Sequence, residues 1–266
     1  MAALALDVGG TKVAAALVGP DGALVRTARR PTAIDDAWAA CVAALWEVAE
    51  DEQVSAVGIG CARPIDGRTA TVSPLNIPAW RNFPLVDRVT QEFPGADVRL
   101  GGDGECMAMA EYRFGAGRGV PNLLGVVAST GVGGGLMLDG QVLESRSGNA
   151  GHIGHVVVEP GGATDARAGG ELAVAALARA GMGLGQAFAS VAALVDVDLV
   201  VLGGGFAAAG APLWEPMRAA VATHARLSFA RELRVVPAAL GAESGLVGRR
   251  RWCCSYGDSH RYACAV

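Results

Sequence analysis

The sequence predicts an α/β protein made of two related lobes with a cleft between them. Three observations predict it. Apolar strand-like runs alternate with helical periodicity, a strand–glycine turn–strand unit occurs twice, and an acidic residue sits where a strand opens into a helix. With 266 residues, 52% hydrophobic and 18% charged, the chain can bury the cores that two lobes require. The lobes are expected at residues 1–115 and 116–266.

The apolar run Ala3 to Leu6 stops at Asp7-Val8-Gly9-Gly10-Thr11-Lys12, and Val13 to Val18 resumes it. A tight turn with two glycines and a hydroxyl exposes backbone N–H groups that can cradle phosphate oxygens. Asp7, at the strand end, can hold the hydrated Mg²⁺ that accompanies ATP. An ordinary β-hairpin accounts for the same residues. Lys12 is the sole lysine among 22 basic residues, which singles out a need for a compact ammonium.

Trp38, Val42, Leu45, Trp46 and Ala49 recur at helical spacing, predicting a helix over 35–50, and Ala56 to Cys61 reads as a buried strand. The proline-rich stretch Arg63 to Phe83 reads as an irregular excursion lining a substrate cleft, with Asn76 on the substrate side. Val98 to Leu100 is a strand ending at Gly101-Gly102-Asp103-Gly104, and a helix follows to Phe114. Asp103 at that junction suits a general base, and equally a helix N-cap.

Asn122 to Ser129, Thr130-Gly131-Val132-Gly133-Gly134-Gly135 and Leu136 to Leu138 repeat the opening theme, which makes a second phosphate turn the stronger reading. Glu171 to Val195 is a helical pattern interrupted by Gly181, Gly183 and Gly185. A buried strand, Leu199 to Leu202, leads into Gly203-Gly204-Gly205. That run is a loose dinucleotide fingerprint without the acidic residue the fingerprint needs, so a nicotinamide enzyme is disfavoured. A helix over 213–224, a strand over 234–237 and a last helix opened by Gly241 to Leu246 complete the chain. His152-Ile153-Gly154-His155 has metal-pair spacing but no second ligand cluster; contact with sugar hydroxyls is preferred, a buried histidine being the alternative.

A net charge of −4 without a basic run argues against nucleic-acid binding, and no apolar stretch approaches membrane-spanning length. The start of the chain shows no signal-peptide pattern, and none of the six cysteines has metal-ligand spacing, so a cytoplasmic protein with reduced thiols is expected.

Together these segments resemble the ROK family of repressors, open reading frames and kinases. The resemblance rests on Leu6 to Lys12, Trp80-Arg81-Asn82-Phe83-Pro84-Leu85, Gly102-Asp103 with Glu111 to Gly117, Thr130 to Gly135, Ala150 to His155 and Val200 to Gly205, in the family's order. It implies the two-lobed actin/hexokinase/Hsp70-like (ribonuclease H-like) fold and in-line transfer from ATP with Mg²⁺ to a sugar hydroxyl, usually the 6-hydroxyl. It implies Asp103 as base, with Asp7, Gly9, Gly10, Thr11 and Lys12 as one phosphate segment and Thr130, Gly131, Gly133 and Gly134 in the other. Gly203, Gly204 and Gly205 fall with Gly241 to Gly245 where the family holds adenosine. Asn76, Gly102, His152 and His155 fall on the sugar side. The family often dimerises, which leaves a homodimer open.

The chain departs from the family pattern on the acceptor side. Gly102 stands where the family usually has Asn, and His152 where it usually has Glu. The CxCGxxGCxE zinc segment expected after Val156 to Gly162 is missing, so no zinc is expected; Glu171 is the candidate for the lost sugar-binding carboxylate. The tail from Arg249 does not look like the family's last helix. These changes point to an acceptor other than plain glucose, such as an aminosugar or cyclitol, or to a catalytically impaired sugar-binding protein. A DNA-binding repressor is not expected, because the reading starts at the first strand.

Overall fold

Strand β1 (Ala2–Val8) is apolar but for Asp7 near its end, because both its faces are covered. A computed structural model of the protein describes residues 2–19, 23–33, 35–129, 131–158, 171–241 and 244–248. Leu4, Leu6 and Val8 face one core and Ala5 another, as the period-two geometry of a strand requires. β1 pairs antiparallel with β2 (Lys12–Val18), which pairs with β3 (Leu24–Pro31). On its other side β1 pairs parallel with β4 (Val54–Cys61), and β4 pairs parallel with β7 (Asp97–Gly102).

Between β3 and β4 lies α1 (Ala37–Ala49), whose Cys41, Ala44, Leu45, Val48 and Ala49 bury one stripe against the sheet. Asp36 caps it, accepting a 3.0 Å bond from the Ala39 N–H. Burial pushes the Cys41 thiol up to about 12, so it packs as an inert apolar group. The excursion over 63–83 is less irregular than the sequence suggests. It folds a two-stranded hairpin, β5 (Ile65–Asp66) with β6 (Thr71–Val72), and Trp80 stacks on Phe83 with centroids 4.2 Å apart. A helix the sequence reading missed, α2 (Leu85–Glu92), follows; its two buried residues, Leu85 and Val89, are too few for a clear period.

α3 (Asp103–Phe114) starts where β7 ends. The second sheet repeats the first: β8 (Leu123–Ala128) is central and pairs antiparallel with β9 (Val132–Leu138), which pairs with β10 (Gln141–Val142). On the other side β11 (Leu199–Gly203) and β12 (Arg234–Pro237) run parallel to it. The orders β3-β2-β1-β4-β7 and β10-β9-β8-β11-β12 therefore match position by position. Met107, Ala108 and Met109 of α3 bury against the second sheet. The short α6 (Ser244–Gly248) returns to the first, where Leu246 joins Ala5, Ala14 and Ala16.

α4 (Glu171–Val195) is continuous, so its glycines do not interrupt it. They serve packing against α5 (Ala211–His224). A β-carbon on Gly181 would lie 2.4 Å from the Leu213 carbonyl oxygen, and one on Gly185 2.3 Å from that of Met217. No described helix is long and apolar enough to cross a membrane. Thr130, the segment 159–170, the side chain of Glu171 and the tail after Gly248 lie outside the described residues.

Candidate active site

The first residues of β9 are the hub on which the site is assembled. Helix α3 lays its first turn directly on their backbone: a β-carbon on Gly104 would fall 2.4 Å from the Gly134 carbonyl carbon, and one on Gly135 2.4 Å from the Glu105 Cα. Only side-chain-free residues permit this approach. It brings the Asp103 carboxylate over Gly133, with Oδ1 2.8 Å from where a β-carbon there would stand. Asp103 Oδ1 also accepts a 2.7 Å bond from the Gly104 N–H. The N-cap reading of Asp103 is not what the structure shows: Gly102 is the N-cap, its N–H bonded to Glu105, and Asp103 is the first helical residue, its carboxylate oriented by the Gly104 N–H and presented beside the second glycine turn.

The two glycine hairpins occupy equivalent places in the two sheets. In the first, Gly9 N–H donates to the Lys12 carbonyl oxygen at 3.0 Å, and Thr32 Oγ1 donates to the Gly9 carbonyl oxygen at 2.8 Å. Thr11 and Lys12 are exposed at its end. In the second, Ser129 N–H donates to the Gly131 carbonyl oxygen at 2.8 Å, and Gly131 has open space where a side chain would stand. Asp7 lies within reach of α6, its Oδ2 3.1 Å from the β-carbon position of Gly245.

Gly203 ends β11, Gly204 has φ +88° and Gly205 faces open space. A β-carbon on Gly204 would lie 2.2 Å from the Ala128 carbonyl oxygen, so conformation and space both require glycine. A carboxylate the sequence reading did not assign supports this side. Glu111 is fully buried; Oε2 accepts from the N–H groups of Ala116 (2.8 Å) and Ala239 (3.1 Å), and Oε1 from that of Leu240 (2.9 Å). It ties the helix that carries Asp103 to the loop before Gly241. Its sequence signal is its place at the head of the Glu111 to Gly117 motif, eight residues after Asp103.

Asn76, expected on the substrate side, lies instead against the first glycine turn, its Nδ2 2.2 Å from the β-carbon position of Gly10. Its Oδ1 is buried without a partner among the described residues. His152 has both ring nitrogens buried and unpartnered among the described residues, and its ring meets that of His155 edge-on at 4.6 Å. Burial, then the charges of His155 and Arg63, hold the His152 imidazole below its ordinary value, so it is neutral. His155 itself is exposed. Among the described residues no three potential ligands are grouped to hold a metal.

Arg63 was not singled out from the sequence, yet it is 4% exposed at the centre of this side. Its Nη1 donates to the carbonyl oxygens of Gly134 (2.8 Å) and Ala150 (2.5 Å). Its Nη2 lies 2.6 Å from Glu105 Oε1, without the alignment of a hydrogen bond. Burial pushes the Glu105 carboxyl up; Arg63 and a 2.9 Å bond from the Gly102 N–H oppose that shift. An arginine just past a buried strand was the available signal.

Two repeated sheets, each with a glycine hairpin, and an acidic helix start between them define a two-lobed α/β protein of the actin/hexokinase-like class. The chain belongs to the ROK family, whose sequence profile matches residues 3–165 and 163–255. The two pieces meet at residues 163–165, within the stretch where the zinc segment was expected and is missing. The glucokinase of Thermotoga maritima is 28% identical over 302 aligned residues, covering 92% of this chain and 95% of that protein. An N-acetylmannosamine kinase of Shigella boydii is 37% identical over 169 residues, spanning 61% of this chain and 56% of that protein. The crystal structure of a ROK family glucokinase from Streptomyces griseus, in complex with glucose and AMPPNP, superimposes with a TM-score of 0.79. It is 27% identical and covers 95% of this chain and 99% of its own.

Proposed function

We propose that this protein transfers the terminal phosphoryl group of ATP to a hydroxyl, the 6-hydroxyl, of a hexose or hexose-like acceptor, with Asp103 as general base. The observation that carries the reading is the seating of the Asp103 carboxylate on Gly133 of the second glycine hairpin. A base there is placed to accept the proton of a hydroxyl attacking a phosphoryl group held by backbone N–H groups of that turn. The relatives support the donor and acceptor classes: a glucokinase, an N-acetylmannosamine kinase and a glucokinase complexed with glucose and AMPPNP.

Phosphoryl transfer needs little covalent chemistry from the protein, so positioning and charge supply most of the rate. The hairpin 9–12 and the turn around Gly131 cradle phosphate oxygens, Lys12 adds positive charge, and Gly203 to Gly205 flank adenosine. Asp7 is the oxygen donor suited to the hydrated Mg²⁺ that enters with ATP and neutralises phosphate charge. A cytoplasmic setting fits the free, buried thiols of Cys41, Cys61 and Cys106.

Gly102, His152 and Arg63 favour an acceptor other than plain glucose, an aminosugar or a cyclitol. They also support the second reading, a sugar-binding protein with impaired catalysis. An ADP-release assay with Mg-ATP across hexoses, aminosugars, N-acylated aminosugars and cyclitols separates the two. Turnover is expected with at least one acceptor, reduced roughly 10²–10⁴-fold in Asp103→Asn. Full turnover in that variant refutes Asp103 as base, and no turnover with any acceptor favours the second reading.

A further inference from the structure

The side chain of Arg63 is 1% exposed and reaches three segments at once. These are β9 through the Gly134 carbonyl, the loop before His152 through the Ala150 carbonyl, and the first turn of α3 through Glu105. Its Nε is buried with no hydrogen-bond partner among the described residues. What the guanidinium faces there is Gly102. A β-carbon on Gly102 would stand 2.4 Å from Nε, 2.8 Å from Cζ and 2.9 Å from Nη2. Real β-carbons do not approach that closely, so a side chain at 102 would displace the guanidinium from this position and from its bonds to Gly134 and Ala150.

We propose that Arg63 and Gly102 are a reciprocal pair that positions the acceptor wall beside Asp103 and sets which sugar it prefers. The inference rests on the kinase reading and names a specificity determinant of the same site. A side chain at 102 would project from the residue before the base. The guanidinium takes that volume instead and anchors the wall to α3 and β9. The exchange changes chemistry as well as shape. Arginine offers donors only, whereas an amide offers both donors and an acceptor, so the wall pairs with acceptor atoms, hydroxyl and carbonyl oxygens alike, and disfavours groups that can only donate, such as an ammonium or an amide N–H. Glu105 already balances the positive charge, which leaves hydrogen-bond pattern, and not net charge, to discriminate.

The test is a cycle of four proteins: wild type, Arg63→Ala, Gly102→Asn and the double variant. Glucose and N-acetylmannosamine are titrated calorimetrically into each, KM for ATP is measured alongside, and a melting curve establishes folding. With Arg63 present, Gly102→Asn is expected to weaken both sugars about tenfold or more, because the new side chain meets the guanidinium. In the Arg63→Ala background the same substitution costs less than about threefold, and the ratio of the two sugar affinities shifts about tenfold from wild type. KM for ATP stays within about twofold throughout. If Gly102→Asn fails to fold, Gly102→Ala replaces it in both backgrounds, with the same sign of coupling expected.

Equal penalties in the two backgrounds overturn the pair. An affinity ratio that never moves, with only melting temperatures changing, reduces Arg63 to a structural tie and overturns the specificity role. Binding of neither sugar to any of the four proteins overturns it as well. Sugar binding without ATP turnover, in contrast, refutes the kinase reading and leaves the pair standing.

Discussion

The segments proposed to hold phosphate and those proposed to hold the acceptor are built on opposite principles. The phosphate side is made of backbone: two hairpins at matching places in two matching sheets, with glycines letting chain segments touch. The proposed acceptor side is made of side chains from unrelated segments, Arg63 after β4, Asp103 on α3 and His152 before the short turn at 153–155. Backbone recognition of phosphate tolerates little change. Side-chain recognition of an acceptor is open to exchange, and the departures of this chain from its family fall there.

Breaking the backbone side should have the largest effect. Gly135→Ala places a β-carbon 2.4 Å from the backbone of Glu105, which cannot yield as a flexible side chain would. A loss of roughly 3 kcal/mol is expected, near the top of the overpacking range. It would appear as a fall in Tm of the order of 10 °C. A wild-type melting curve would show that α3 does not lie on β9 as described.

Glu111→Ala comes next. It leaves the N–H groups of Ala116, Ala239 and Leu240 without their carboxylate, at a cost of about 2–3 kcal/mol. Because two of the three lie in the loop before Gly241, KM for ATP should rise more than KM for the acceptor, and Glu111→Gln should be milder. An equal rise in both constants would separate Glu111 from the nucleotide side.

The smallest effect belongs to the acceptor side. The His152 imidazole is held below its ordinary value of 6.5, so folding favours its neutral form. That contribution to stability is fully present above the ordinary value and is lost as pH falls through the lowered one. The decline in Tm on acidification from about pH 8 to about pH 5 should shrink in His152→Gln by less than about 2 °C. Identical pH profiles would mean that His152 is solvated like any surface histidine.

The same contrast explains how much the sequence disclosed. The repeat of strand, glycine turn and strand was legible, because a glycine-rich turn between two apolar strands leaves a local signature, and the two sheet orders repeat accordingly. Helix α1 was legible from its period, and α4 was legible despite its three glycines. Arg63 and Glu111 were not assigned, because each hydrogen-bonds to backbone groups far along the chain, 71 and 87 residues away for Arg63 and 128 and 129 for Glu111. No local spacing encodes such contacts. Asp103 lay between these cases: its junction was visible, but its seating beside Gly133, 30 positions on, was not.

The central claim is that phosphate chemistry is retained while the acceptor has changed. The most direct measurement is relative kcat/KM across the acceptor panel under saturating Mg-ATP, with Asp103→Asn as the control. The account predicts ATP-dependent turnover, lost in the control, in which an aminosugar, N-acylated aminosugar or cyclitol outperforms glucose. Glucose emerging as the clear best acceptor would contradict it.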